Sequence, residues 1–129
     1  PGDIKISDNI ENPRGMETVC KALGAEPLDW SYKTDCCGAS AAVNDTDTSL
    51  FLMSQIIMDA LARGSNCFVT TCPMCQMNMD AYQNQVCERY GIQRKLPVFF
   101  ITELLGIAMG FTPQEMQIDK HFIDAPGLL

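Results

Sequence analysis

The sequence predicts an α/β layered domain, on three observations. Two short apolar runs, 67–71 and 98–101, read as strands buried within a sheet. Each runs into a segment with the apolar spacing of a helix. A third run, in which Leu28, Trp30 and Tyr32 alternate with polar residues, has the period of a strand. Strands that alternate with helices pair in parallel through right-handed crossovers, so the expected architecture is a single small domain with a parallel-type sheet and helices packed on it. At 129 residues the chain can bury one core without disulfide staples.

The elements follow in order. Asn12 is placed to cap a helix that starts at Pro13, with Met16, Val19, Cys20 and Leu23 as its apolar stripe and Gly24 as its stop. After the strand through Trp30, Asp47 is expected to cap a helix carrying Leu50, Met53, Ile57, Ala60 and Leu61, ending at Arg63 and Gly64. The 67–71 strand leads into a helix from Met74 or Cys75 to Tyr90, with Met79, Tyr82, Val86 and Tyr90 inward and Gly91 as terminator. The 98–101 strand leads into a helix through Leu104, Leu105 and Ala108 that stops at Gly110. Thr112-Pro113-Gln114-Glu115 has the pattern of a capping box, so a last short helix is expected, followed by an irregular tail after Ile118.

A formal charge of −7 and a pI near 4.4 argue against nucleic acid and anionic membrane surfaces as partners. The most apolar stretch, 96–111, is interrupted by Thr102 and Glu103 and is too short to span a bilayer. Seven cysteines without a secretion signal point to a reducing compartment, and the expected location is cytoplasmic. Pro1 in place of an initiator Met reads as a processed product or a piece of a longer polypeptide.

Four of the cysteines form two tight pairs, Cys36-Cys37 followed by Gly38, and Cys72-Pro73-Met74-Cys75. Adjacent cysteines close a disulfide only with strain, so their thiolates look outward for partners. In a parallel sheet the loops after Tyr32 and after Thr71 emerge at the same carboxyl edge, so the two pairs are expected to meet there. Thiolates suit soft centres, and four of them satisfy either tetrahedral zinc or an iron–sulfur cluster. The Cys-x-x-Cys pair sits where a strand turns into a helix, with free N–H groups aimed at the sulfurs. Gly38 lets backbone approach bound sulfide closely. A metal-free dithiol that cycles through a Cys72–Cys75 disulfide is the third reading.

With 34 residues between Cys37 and Cys72, the combined motif is far more specific than either pair. It resembles the C-terminal cysteine-rich (CCG) domain of the heterodisulfide reductase B subunit family. The likeness extends through Asn12-Pro13, Leu23-Gly24-Ala25, Asp29-Trp30, Leu104-Leu105-Gly106, Ala108-Met109-Gly110 and Lys120-His121-Phe122. Related domains occur in lactate-utilisation, glycolate-oxidase, glycerol-3-phosphate dehydrogenase and succinate dehydrogenase-like subunits; the ending favours the heterodisulfide reductase branch.

The resemblance implies that residues 1–129 are one domain of a longer subunit whose N-terminal half holds a sister CCG domain. It implies a non-cubane 4Fe-4S cluster with Cys36, Cys37, Cys72 and Cys75 as ligands, or zinc in the same place. The substrate would be a disulfide such as that of coenzyme M and coenzyme B, as in methanogenesis, with electrons arriving from an iron–sulfur subunit and a flavoprotein. The family's first motif cysteine precedes the vicinal pair and would fall at or beyond Pro1. Cys20, with 15 residues between it and Cys36, does not match it.

Cys20, Cys67 and Cys87 are expected to pack as small hydrophobes, and Met74, Met77 and Met79 to be core, with lining of the cysteine centre as the alternative for the methionines. Asp45 and Asp47 read as loop and cap. His121, the only histidine, reads as an exposed or capping residue near the tail, with proton donation to a leaving thiolate as the alternative.

Overall fold

The computed structural model describes residues 8–125 and 127. Five α-helices surround two short parallel strands in the order α1 (Gly15–Ala22), α2 (Thr46–Ala62), β1 (Phe68–Thr70), α3 (Pro73–Ala81), α4 (Gln83–Tyr90), β2 (Val98–Phe100) and α5 (Ile101–Ala108). Short 3-10 turns at Ala39–Ala41 and Ile118–Lys120 complete the secondary structure. Phe68 pairs with Val98, Val69 with Phe99 and Thr70 with Phe100. The expected α/β class and the parallel pairing are both present.

The core is built where these elements face one another. Leu50, Met53, Ile56, Ile57 and Ala60 from α2, Met79 from α3, Val86 from α4, and Phe68, Leu96 and Val98 around the strands form one buried cluster. Tyr82 and Tyr90 pack against it as the helical spacing predicts.

Several boundaries fall elsewhere than expected, each for a local reason. The α2 cap is Asp45 and not Asp47: the Asp45 carboxylate accepts from Thr48 N–H at 3.2 Å and from the Thr48 hydroxyl at 2.6 Å. Asp47, in the first turn, pairs with Arg89 of α4. Helix α1 begins at Gly15, and its first N–H groups are held by Asp8, which accepts from Arg14 N at 2.8 Å and from Gly15 N at 2.6 Å. Asn12 has no capping part. Of the predicted α1 stripe only Cys20 is buried, while Met16 and Val19 are exposed. Met16, Cys20 and Leu23 line an open groove of about 830 Å3 shared with Trp30, Cys67 and Val69.

Residues 28–32 are not a strand. Their alternation has another cause: Trp30 lies with its ring centroid 5.9 Å from that of Phe68 and 6.5 Å from that of Tyr32, so aromatic packing fixes the segment without a ladder. The predicted continuous helix to Tyr90 breaks at Tyr82. Just after it, the buried Gln83 side chain donates to Met79 O at 3.1 Å and Leu96 O at 2.9 Å, and accepts from Leu96 N at 2.6 Å. A side-chain amide thus occupies a helix carbonyl and ties the bend to the approach of β2.

The 112–115 capping box forms, with Thr112 N donating to Glu115 at 2.8 Å and Glu115 N to Thr112 Oγ1 at 3.2 Å. No α-helix follows. Gln117 at φ 61° is left-handed and turns the chain into a 3-10 segment.

Candidate metal centre

The carboxyl end of β1 delivers the second cysteine pair. Thr70 is the last strand residue; its hydroxyl accepts from Cys72 N at 3.1 Å and holds the turn into α3. Cys72 is the N-cap of α3 with Pro73 in the first turn, where a missing N–H costs nothing. Cys75 follows one turn later.

The first pair arrives from a loop with no strand before it, yet the pairs meet. Cys37 Sγ lies 3.3 Å from Cys75 Sγ across 38 residues of sequence. Cys37 is buried, Cys75 half-buried, and Cys36 and Cys72 are exposed. Gly38 N–H reaches Cys36 Sγ at 3.4 Å. Gly38 has a φ of 76°, and a Cβ there would stand 3.1 Å from Ser49 Cα and 3.0 Å from Leu52 Cδ1. The glycine is therefore required by the close approach of the loop to α2, a role separate from the expected approach to bound sulfide.

Hydrogen bonding and burial divide the thiols. The Cys72 thiol is lowered below the ordinary thiol value, first by the Cys75 N–H, then by the Cys75 thiol, against a small opposing effect of burial. Burial pushes the Cys75 thiol up to about 12, helped by hydrogen bonds to Cys37 and Cys72. Without a cation, the exposed helix-cap sulfur of Cys72 gives up its proton before Cys75 does.

The donor set fits a soft, thiophilic centre and little else. Thiolates on one tetrahedral zinc stand about 3.8 Å apart, given Zn–S bonds near 2.3 Å. The 3.3 Å contact between Cys37 and Cys75 is closer, as a thiol hydrogen bond. Among the described residues, no three His, Cys, Asp or Glu side chains are gathered tightly enough to grip a single ion. Cys36 and Cys72 are exposed beside the contact of Cys37 with Cys75.

The remaining candidates separate cleanly. Cys20 and Cys87 are buried and Cys67 half-buried, each with its thiol raised chiefly by burial. Met79 is core, but Met74 and Met77 are about half exposed on the helix that bears Cys72 and Cys75. They are not core residues: both are exposed, while Cys75 between them packs against the core. His121 is not exposed: its Nε2 lies 2.9 Å from Glu103 Oε1, its ring packs near Phe99, and its buried Nδ1 has no partner among the described residues. Glu103 also accepts from Phe100 N at 2.8 Å, closing the first turn of α5.

Two residues that periodicity did not single out hold the region together. Buried Asn78 donates to the carbonyl oxygen of Cys37 at 3.1 Å. Buried Asp80 accepts from Phe122 N at 2.9 Å and Ile123 N at 3.0 Å, pinning the C-terminal segment. For Asn78 the signal is a polar residue one turn before Tyr82 on the inward side of α3; Asp80, on another face, has no such signal.

The profile of the CCG family, described as a cysteine-rich domain, matches residues 5–80. The chain is 33% identical over 121 residues to the 8-methylmenaquinol:fumarate reductase membrane anchor subunit of Wolinella succinogenes, covering 94% of this chain and 43% of that protein. It is 31% identical over 125 residues to the B subunit of the ferredoxin:CoB-CoM heterodisulfide reductase of Methanosarcina mazei, covering 95% and 42%. The B subunit of a ferredoxin/F420H2-dependent CoB-CoM heterodisulfide reductase of Methanosarcina acetivorans is 32% identical over 125 residues, covering 95% and 42%. The chain thus spans about two-fifths of the length of these reductase subunits. The vicinal cysteines, the Cys-x-x-Cys helix start and the profile match together place this chain in the CCG cysteine-rich domain family.

Proposed function

We propose that Cys36, Cys37, Cys72 and Cys75 hold an iron–sulfur centre of the 4Fe-4S type. The domain then serves electron transfer to a disulfide, and its reductive cleavage, within a B subunit of the heterodisulfide reductase kind. The observation that carries this reading is the 3.3 Å approach of Cys37 and Cys75, which joins the two cysteine pairs from distant parts of the chain. Kinship with reductase subunits supports a redox or electron-transfer role. The similar identities to a fumarate reductase subunit and to heterodisulfide reductase subunits leave the choice of acceptor to the disulfide-type ending noted in the sequence.

When bound, such a centre supplies single electrons and a thiophilic metal corner. The chain's own groups prepare its seat. Cys72 stands at the N-terminus of α3, which lowers its thiol and offsets negative charge. Buried Cys37 closes the seat on the core side. Exposed Met74 and Met77 give the open side an apolar rim suited to a thioether- or thiol-bearing substrate or a neighbouring domain. In this reading residues 1–129 are the C-terminal domain of a subunit whose sister CCG domain, iron–sulfur partner and flavoprotein complete the electron path, in a reducing, cytoplasmic setting. Among the described residues no helix is long and apolar enough to cross a membrane.

The test is anaerobic purification, reconstitution with iron and sulfide, and metal analysis. The expected result is iron and acid-labile sulfide in equal amounts, with broad visible absorption that dithionite bleaches. Stoichiometric zinc without colour would replace the cluster with a four-cysteine zinc module, whose fold is lost on chelation. A colourless, metal-free protein with a reversible Cys72–Cys75 disulfide would make it a dithiol oxidoreductase.

A further inference from the structure

We infer that Asn78 is a positioning residue for the cysteine centre, holding the vicinal-cysteine loop in register with the Cys-x-x-Cys helix. Asn78 lies three residues past Cys75, on the same face of α3. The two side chains grip one residue from two sides. Cys75 Sγ meets Cys37 Sγ at 3.3 Å, and Asn78 Nδ2 donates to Cys37 O at 3.1 Å across 41 residues of sequence. Fixing both the thiol and the carbonyl of Cys37 determines where its sulfur stands relative to α3.

The surroundings make this grip hard to replace. Asn78 is 1% exposed, and its amide also approaches Ser49 Oγ at 3.4 Å and Met53 Sδ at 3.3 Å. Cys37 and Met53 are buried too, so no solvent stands ready to satisfy the Cys37 carbonyl if the amide is removed. The next residue, Gly38, rests against the backbone of α2 at Ser49, the residue whose hydroxyl faces Asn78. Loop, α2 and α3 therefore share one polar junction in an apolar setting, directly behind the sulfurs.

The inference deepens the functional reading and rests on Cys37 and Cys75 acting as joint ligands. The junction itself forms without any metal, so it can be tested separately.

The experiment uses the whole chain, reduced and metal-free, as wild type, Asn78→Leu, Asn78→Asp and Ser49→Ala. Diamide takes two electrons and two protons from a thiol pair, becoming a hydrazine while the pair becomes a disulfide. The rate at which the Cys37–Cys75 bridge appears is followed by peptide mass mapping. Cobalt titration then reads thiolate-to-metal charge transfer and the ligand-field bands. Circular dichroism and thermal melting establish that each variant is folded.

Both Asn78 variants are expected to slow the bridge and weaken cobalt binding by about tenfold or more, with altered cobalt bands, because small displacements of a reacting pair are costly. Ser49→Ala, which keeps the Cys37 contact, stays within about twofold of wild type. Folded Asn78 variants with a lowered melting temperature but wild-type bridge rate and cobalt spectrum would overturn the inference, leaving Asn78 as a core polar residue only.

If both variants unfold, the wild type decides by NMR. The Asn78 side-chain amide protons must be protected from exchange and must shift when cadmium is added; rapid exchange with no shift overturns the inference. Wild-type protein that takes up no cluster while its Asn78 variants still slow the bridge would sink the functional reading and keep the positioning role. Equal cluster loading and identical spectra in wild type and Asn78→Leu would do the reverse.

Discussion

The cysteines gathered near the carboxyl end of β1 and those inside the rest of the fold have the same chemistry and different surroundings. At the edge, Cys72 caps a helix and has its thiol lowered by backbone N–H donors, while Cys37 and Cys75 touch. Inside, Cys20 and Cys87 are buried and Cys67 is half-buried, and burial raises each thiol. A thiol at the edge is placed to become a ligand or nucleophile; a thiol inside is a small apolar side chain. Cys37 is as buried as the inner thiols and burial raises Cys75 as it raises them, so what sets the edge group apart is the meeting of the two pairs at a helix N-terminus.

The largest test of this contrast is all-or-none. Cys37→Ser or Cys72→Ser is expected to abolish the visible chromophore of the anaerobically reconstituted protein, whereas Cys20→Ala leaves it intact. Iron and sulfide analysis with absorption spectroscopy reads the outcome, and equal loss in all three variants would erase the distinction between the two regions.

Alkylation of the metal-free protein sharpens the contrast next. The thiolate is the reactive form, and a lowered thiol keeps more of it at any given pH. Cys72 should therefore begin to react with iodoacetamide below the pH at which a free cysteine does. Cys75, pushed up to about 12, and the buried Cys20 and Cys87 should still be protonated there. Peptide mapping across a pH series is expected to show Cys72 modified at least about a hundredfold faster than Cys20 at neutral pH, a product of thiolate fraction and access. A single rate for all seven would mean that the helix N-terminus has no influence on its cap.

How much of the molecule is legible in the sequence differs by element. The short apolar runs at β1 and β2 identify themselves by length and bounding turns, although in a two-stranded sheet only Phe68 of β1 is buried and the strand is not enclosed on both faces as expected. Residues 28–32 mislead, because alternation of residue types does not say whether the backbone finds a partner; there Leu28 is exposed and Trp30 packs tilted against Phe68 with no ladder beside it. Strand order predicts that the cysteine pairs meet, but they meet for a different reason. A loop resting on α2 and held by Asn78 brings them together, a tertiary cause that no local pattern encodes. Two aspartates spaced two apart offer equally good caps, and only the Thr48 hydroxyl, which turns to Asp45, decides between them. His121 looks like a tail residue in the sequence because its partner, Glu103, is 18 positions away.

The smallest expected effect concerns whether the two regions are energetically separate. Asp80 lies at the far end of α3 from Cys72, and its buried carboxylate accepts from the N–H groups of Phe122 and Ile123. Asp80→Ala leaves two N–H donors without their charged acceptor, which should cost about 2 to 4 kcal/mol of unfolding free energy. The cost should appear as a lower urea midpoint with an unchanged slope, because the surface exposed on unfolding stays the same. The α3 N-terminus is anchored independently, by the Thr70 hydroxyl and by the Asn78 amide on Cys37. The Cys72 alkylation rate of the folded variant should therefore match wild type. A changed rate would mean that strain at the C-terminal segment reaches the sulfurs along α3, and that the edge is not insulated from the scaffold beneath it.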